Sequence, residues 1–222
     1  MWIELQEYKQ HKKDISKYNI LYFDKNIDVK YAPKTGSRSI RKYWTTVNAD
    51  KKNVNPDFYW DKITSPFTKY GFSKYQNFVD SQKDSPFRKN SYKIAIYRNP
   101  IDRWISACEY QYKKTKESIY KFNYEIDDII YMHQKGIIIP DIELFQPMTY
   151  WLGKDKSLYN ATYTTKNINS LMQELNTLLD VSIDPIWENK QAYEKYDKSL
   201  LADYQIEALK QIYISDYTNG WY

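Results

Sequence analysis

The sequence is short of the residues that build metal centres and covalent frameworks. It has one cysteine, Cys108, in 222 residues, which excludes an intrachain disulfide framework and a multi-cysteine zinc site. Its two histidines, His11 and His133, are too few for a His-rich metal centre. No stretch approaches the roughly 18–20 apolar residues that a membrane span requires. The first residues, Met1-Trp2-Ile3-Glu4-Leu5-Gln6-Glu7, mix charge with apolar side chains and lack the apolar core of a secretory signal. These absences predict a cytoplasmic protein with no membrane segment and no resident metal. A large excess of one charge is missing too. The 33 Lys+Arg and 28 Asp+Glu leave +5, too little and too evenly spread to argue for nucleic acid, and equally suited to a compact anionic ligand or an acidic polymer. Glycine is scarce, at five residues, so each one is informative.

What is present in excess is aromatic. Twenty-four Tyr and 7 Trp help to raise the aromatic share to 18%, within a chain that is 42% hydrophobic and 27% charged. That balance is globular, and the length predicts a single domain over 1–222. Ile27, Val29 and Tyr31 alternate as a strand does, and Tyr92-Lys93-Ile94-Ala95-Ile96-Tyr97 reads as a second strand. A helix is predicted from Ser37 or Ser39, with Ile40, Tyr43, Trp44 and Val47 at helical spacing. Asn99 suits an N-cap and Pro100 a first helical position, opening a helix with Ile101, Trp104, Ile105 and Cys108 on one face. On that face Cys108 reads as a small core residue. Further helices are predicted near 123–134, stopped at Gly136, along Ile168, Leu171, Met172, Leu175 and Leu179, and over 200–217. A strand is predicted over 158–164. Strands alternating with helices argue for an α/β fold with a mainly parallel central sheet flanked by helices. Residues 48–90, broken by Pro56, Pro66, Gly71 and Pro86, read as an irregular insert.

Two loops carry chemistry. Lys34-Thr35-Gly36-Ser37-Arg38-Ser39 lies between a predicted strand and a predicted helix. Glycine lets backbone approach an anion closely, and a helix N-terminus offers outward N–H groups with partial positive charge. The hydroxyls of Thr35, Ser37 and Ser39 add donors, and Lys34 adds a mobile point charge. Taken alone, this is equally an ordinary strand–helix turn with a capping serine. It is not the nucleoside-triphosphatase loop G-x-x-x-x-G-K-[ST], because its lysine precedes the glycine. The second loop is Arg98-Asn99-Pro100-Ile101-Asp102-Arg103-Trp104-Ile105-Ser106. It places Arg98 at the carboxyl end of a strand, where open α/β sheets bind ligands. Arg103, taken singly, reads as a solvated or salt-bridged helix residue.

In order and spacing, Pro33-Lys34-Thr35-Gly36-Ser37-Arg38-Ser39 followed by Arg98-Asn99-Pro100-Ile101-Asp102-Arg103-Trp104-Ile105-Ser106 resembles the sulfotransferases that use 3′-phosphoadenosine 5′-phosphosulfate (PAPS), particularly the carbohydrate and heparan type. The runs Gln146-Pro147-Met148-Thr149-Tyr150-Trp151-Leu152 and Tyr213-Ile214-Ser215-Asp216-Tyr217 are similar to later segments of that family, so the resemblance spans residues 26–222. It implies a P-loop-like phosphate site and metal-free sulfuryl transfer from PAPS to a hydroxyl, with a glycan as acceptor partner. It further implies that Lys34 meets the bridging oxygen of the phosphosulfate, that Thr35, Gly36, Ser37, Arg38 and Ser39 hold that group, and that Arg98 and Ser106 bind the 3′-phosphate. Lys190 is a further contact by position.

The sequence departs from the family at two points. Arg38 stands where Thr or Ser is usual, and either grips an oxyanion or crowds the loop. The family's middle segment often carries a histidine before Pro-Gln. Here Asp141-Ile142-Glu143-Leu144-Phe145-Gln146-Pro147 carries none, and Glu143 and His133 stand as candidate acceptor bases. Lys113, Lys114 and Lys116 form either a solvated face or an attraction for an acidic glycan. The alternatives are a nucleotide kinase or other phosphoryl transferase, disfavoured by the missing lysine pattern, and a nucleotide-binding module without turnover.

Overall fold

The computed structural model describes residues 20–51, 87–117, 121–137, 142–187 and 193–222. Most of the insert expected over 48–90, the N-terminal segment and Lys190 lie outside them. In chain order the described residues form β1 (Ile20–Phe23), β2 (Ile27–Tyr31), α1 (Ser37–Lys51), β3 (Tyr92–Tyr97), α2 (Pro100–Thr115), α3 (Ile126–Gln134), α4 (Met148–Leu152), β4 (Ala161–Thr164), α5 (Ile168–Leu179), α6 (Asp203–Ile212) and α7 (Ile214–Thr218). The fold is α/β. Its sheet has the order β1-β2-β3-β4 and is mixed: three strands run parallel, and β1 is antiparallel to β2. No helix among the described residues is long and apolar enough to cross a membrane.

The chain is organised as two compact units. Among the described residues, the first takes in 20–31, 36–51, 87–96 and 159–187. Strand alternation turns Ile27, Val29, Tyr31, Ile94 and Ile96 into one core, closed by Ile40 and Tyr43 of α1 and by Ile168, Leu171, Met172 and Leu175 of α5. The Tyr43 hydroxyl donates to Asn176 Oδ1 at 2.7 Å, which gives this buried phenol a partner. Antiparallel β1 arises from a hairpin in which Phe23 faces Ile27. Lys25 and Asn26 make its turn with φ of 52° and 59°, a conformation asparagine tolerates better than most residues. Arg88 staples this hairpin. Its backbone N–H and its Nε donate to the buried Asp28 carboxylate at 2.7 and 2.6 Å, and its Nη2 donates to the carbonyls of Phe23 and Ile27 at 2.6 Å each.

Among the described residues, the second unit takes in 32–35, 97–117, 121–137, 142–158 and 193–222. Helix α2 begins as its sequence predicts: Asn99 Oδ1 accepts from Asp102 N–H at 3.0 Å, and Pro100 opens the helix. Its apolar face, with Ile101, Trp104, Ile105 and Cys108, packs with Phe145, Leu209 and Tyr213. Arg103 differs from expectation. It is fully buried, and its guanidinium donates to the carbonyls of Leu144, at 2.8 Å, and Gln146. Burial is tolerable because carbonyl oxygens replace water around the cation. Gly136, at φ 66°, ends α3, and Ile137 N–H returns to Met132 C=O at 2.8 Å. The helix expected over 200–217 breaks at Tyr213, whose hydroxyl donates to Phe145 C=O at 2.7 Å. The strand expected over 158–164 is shorter, because Lys156–Leu158 forms a 3-10 turn ahead of it.

Candidate functional site

The loop from β2 to α1 is shaped by two left-handed residues. Lys34 has φ 66° and Gly36 has φ 79°. Within the first unit, a Cβ added to Gly36 would lie 2.8 Å from the terminal Cδ1 of Ile168, which would have to shift, and the left-handed backbone at φ 79° is what favours glycine there. Helical bonding starts with Ile40 N–H to Gly36 C=O at 3.2 Å. The leading amides of such a turn face outward from the helix end with partial positive charge. Ser39 is buried, Ser37 is partly exposed and Arg38 is exposed. Arg38 therefore projects to solvent and does not crowd the loop.

The remaining loop residues belong to the second unit, together with the other motif. Thr35 is buried, and its hydroxyl donates to Ala32 C=O at 2.6 Å, locking the turn. Lys34 Nζ lies 4.4 Å from the centre of the Tyr110 ring, a cation–π distance. Arg98 follows β3 directly. Its Nη1 donates to Lys34 C=O at 3.2 Å, its Nη2 donates to the Tyr193 hydroxyl at 3.2 Å, and its backbone N–H meets Met148 Sδ at 3.3 Å. Two motifs 64 residues apart thus meet through a guanidinium–carbonyl contact. Ser106 is buried two turns into α2.

The candidate bases fall elsewhere. His133 closes α3, with its ring edge-on to Phe145 and Tyr213 at 6.2 and 5.8 Å between centres. Burial, reinforced by the Arg103 cation, lowers its pKa to about 4, so it is neutral at physiological pH. Glu143 lies in the 3-10 turn Ile142–Phe145, and its side chain lies outside the described residues. The lysine-rich end of α2 is partly paired with acids: Lys113 with Glu109 and Glu194 at 3.4 and 3.5 Å, and Lys116 with Glu194 at 3.1 Å.

No protein-family model, curated protein or solved structure matches the chain. Sequence reasoning passed over Tyr110, Tyr193 and Glu109. The first two are single aromatics in a Tyr-rich chain, with no local pattern to set them apart. Glu109 is fully buried on α2. One signal was available: a carboxylate at a position contiguous with Ile105 and Cys108 on an apolar face must find donors.

Proposed function

We propose that the protein is a PAPS-dependent sulfotransferase that moves a sulfuryl group to a carbohydrate hydroxyl. The observation that carries this reading is the 3.2 Å bond from Arg98 to the Lys34 carbonyl. It joins the residue assigned to the 3′-phosphate to the residue assigned to the phosphosulfate, as one nucleotide carrying both groups requires. The left-handed glycine and the helix start behind it support an oxyanion cradle.

In this reading Ser37 to Ser39 and the loop backbone hold the phosphosulfate, and Lys34 neutralises charge on the departing 5′-phosphate. Arg98 and Ser106 hold the 3′-phosphate. The acceptor oxygen forms a bond to sulfur as the bond from sulfur to the bridging oxygen breaks. The hydroxyl proton passes to a base, and 3′-phosphoadenosine 5′-phosphate leaves. Positioning and charge neutralisation in line with the attacking oxygen supply the rate.

The test is transfer from PAPS to a panel of glycans. Wild-type protein should release the product nucleotide in step with sulfated glycan, and Lys34→Ala should abolish turnover while leaving the circular dichroism spectrum unchanged. Undiminished turnover by Lys34→Ala would remove Lys34 from its role. Magnesium-dependent ATP binding, with no response to PAPS, would instead support the phosphoryl-transfer alternative.

A further inference from the structure

The end of α2 and the segment around residue 194 are joined by an arrangement that packing alone does not call for. Glu109 is fully buried. Its Oε1 accepts from Glu194 N–H at 2.8 Å, and its Oε2 accepts from Lys195 and Tyr196 N–H at 3.1 and 2.9 Å. Burial alone would raise its pKa, but these three amides and Lys113 outweigh it and leave the carboxyl below its ordinary value. Tyr196 anchors the same segment from the other side. It is buried edge-on to Tyr112, and its hydroxyl donates to Tyr124 C=O at 2.7 Å.

The residue that this clamp carries forward is Tyr193, 40% exposed. An exposed tyrosine gains little from a buried carboxylate behind it, yet its hydroxyl reaches the Arg98 guanidinium. Arg98 then has one Nη on Lys34 C=O and the other on Tyr193 Oη. Two fixed contacts set the plane of a guanidinium and leave its remaining N–H groups for a ligand.

We infer that Glu109 is a positioning residue: through three backbone amides it fixes Tyr193, and Tyr193 fixes Arg98 in the orientation that receives the 3′-phosphate. This inference rests on the sulfotransferase reading. It differs from a merely structural clamp in requiring that the Tyr193 hydroxyl itself matter to ligand affinity.

The experiment compares full-length wild type, Glu109→Gln and Tyr193→Phe by calorimetry with 3′-phosphoadenosine 5′-phosphate, by steady-state transfer, and by hydrogen exchange at residues 194–196. In Glu109→Gln a carboxylate acceptor becomes an amide donor facing N–H groups, so those amides should exchange at least about tenfold faster. Nucleotide affinity should fall about tenfold, with KM raised and kcat held within about twofold. Tyr193→Phe should weaken nucleotide binding by about three- to tenfold while exchange at 194–196 stays as in wild type. Because it removes one exposed hydroxyl, it keeps the inference testable even if Glu109→Gln fails to fold. Wild-type binding together with unchanged affinity in Tyr193→Phe would overturn the inference alone. Failure of well-folded wild type to bind the nucleotide would overturn the sulfotransferase reading, and this inference with it.

Discussion

Gly36 and His133 show how much single positions can carry. Any side chain at Gly36 meets both the left-handed backbone, at φ 79°, and Ile168 Cδ1, 2.8 Å from the new Cβ. Gly36→Ala should therefore cost about 1–3 kcal/mol, read as a lower urea midpoint. His133 predicts an acid-sensitive fold. Burial lowers its pKa to about 4 in the folded chain, against 6.5 for an ordinary histidine, so between those values the unfolded chain takes up a proton that the folded chain refuses. Its contribution is fully present above about pH 6.5 and is lost as pH falls toward 4, by up to about 3 kcal/mol. A ring of similar size without the titratable nitrogens removes the effect. Thermal midpoints of His133→Phe should fall less steeply than those of wild type between pH 7 and 4, and parallel curves would contradict this account. Arg98→Ala, which strips the 3′-phosphate of its proposed guanidinium, should weaken nucleotide binding by about 2–4 kcal/mol in a calorimetric titration.

Among the elements, α4 depends on a carboxylate from far along the chain. The five-residue helix Met148–Leu152 has no side-chain cap of its own. Buried Asp216 accepts from Met148 and Thr149 N–H at 2.9 and 2.8 Å. Asp216→Ala should cost about 2–4 kcal/mol in chemical denaturation, because it leaves one buried and one partly buried amide without an acceptor, and Asp216→Asn should cost less. The same contrast explains what the sequence made legible. Helices α2 and α5 and strand β3 could be read directly, because capping, periodicity and alternation are local properties. The loop from Lys34 to Ser39 and the position of Arg98 were legible for the same reason. By contrast, Asp28–Arg88, Asp216–Thr149 and Glu109–Glu194 span 60, 67 and 85 residues, and no local pattern announces such pairings. Arg103 was misread on this ground, since its acceptors are carbonyls more than forty positions away. The apolar run Ile20–Phe23, which forms β1, does not announce a strand by itself, because four apolar residues in a row have no alternation to show.

For the molecule as a whole, the modest excess of five positive charges takes on a local meaning. Lys34 and Arg98 share one part of the second unit, and the proposed function assigns both of these cations to one compact anion. Binding of a multiply charged nucleotide should then weaken several-fold between about 0.05 and 0.3 M salt, as screening shortens the reach of exposed charge. The most direct measurement is an isothermal titration of the folded, full-length protein with 3′-phosphoadenosine 5′-phosphate in magnesium-free buffer. The account predicts saturable binding of one nucleotide per chain. A flat titration with well-folded protein would contradict it.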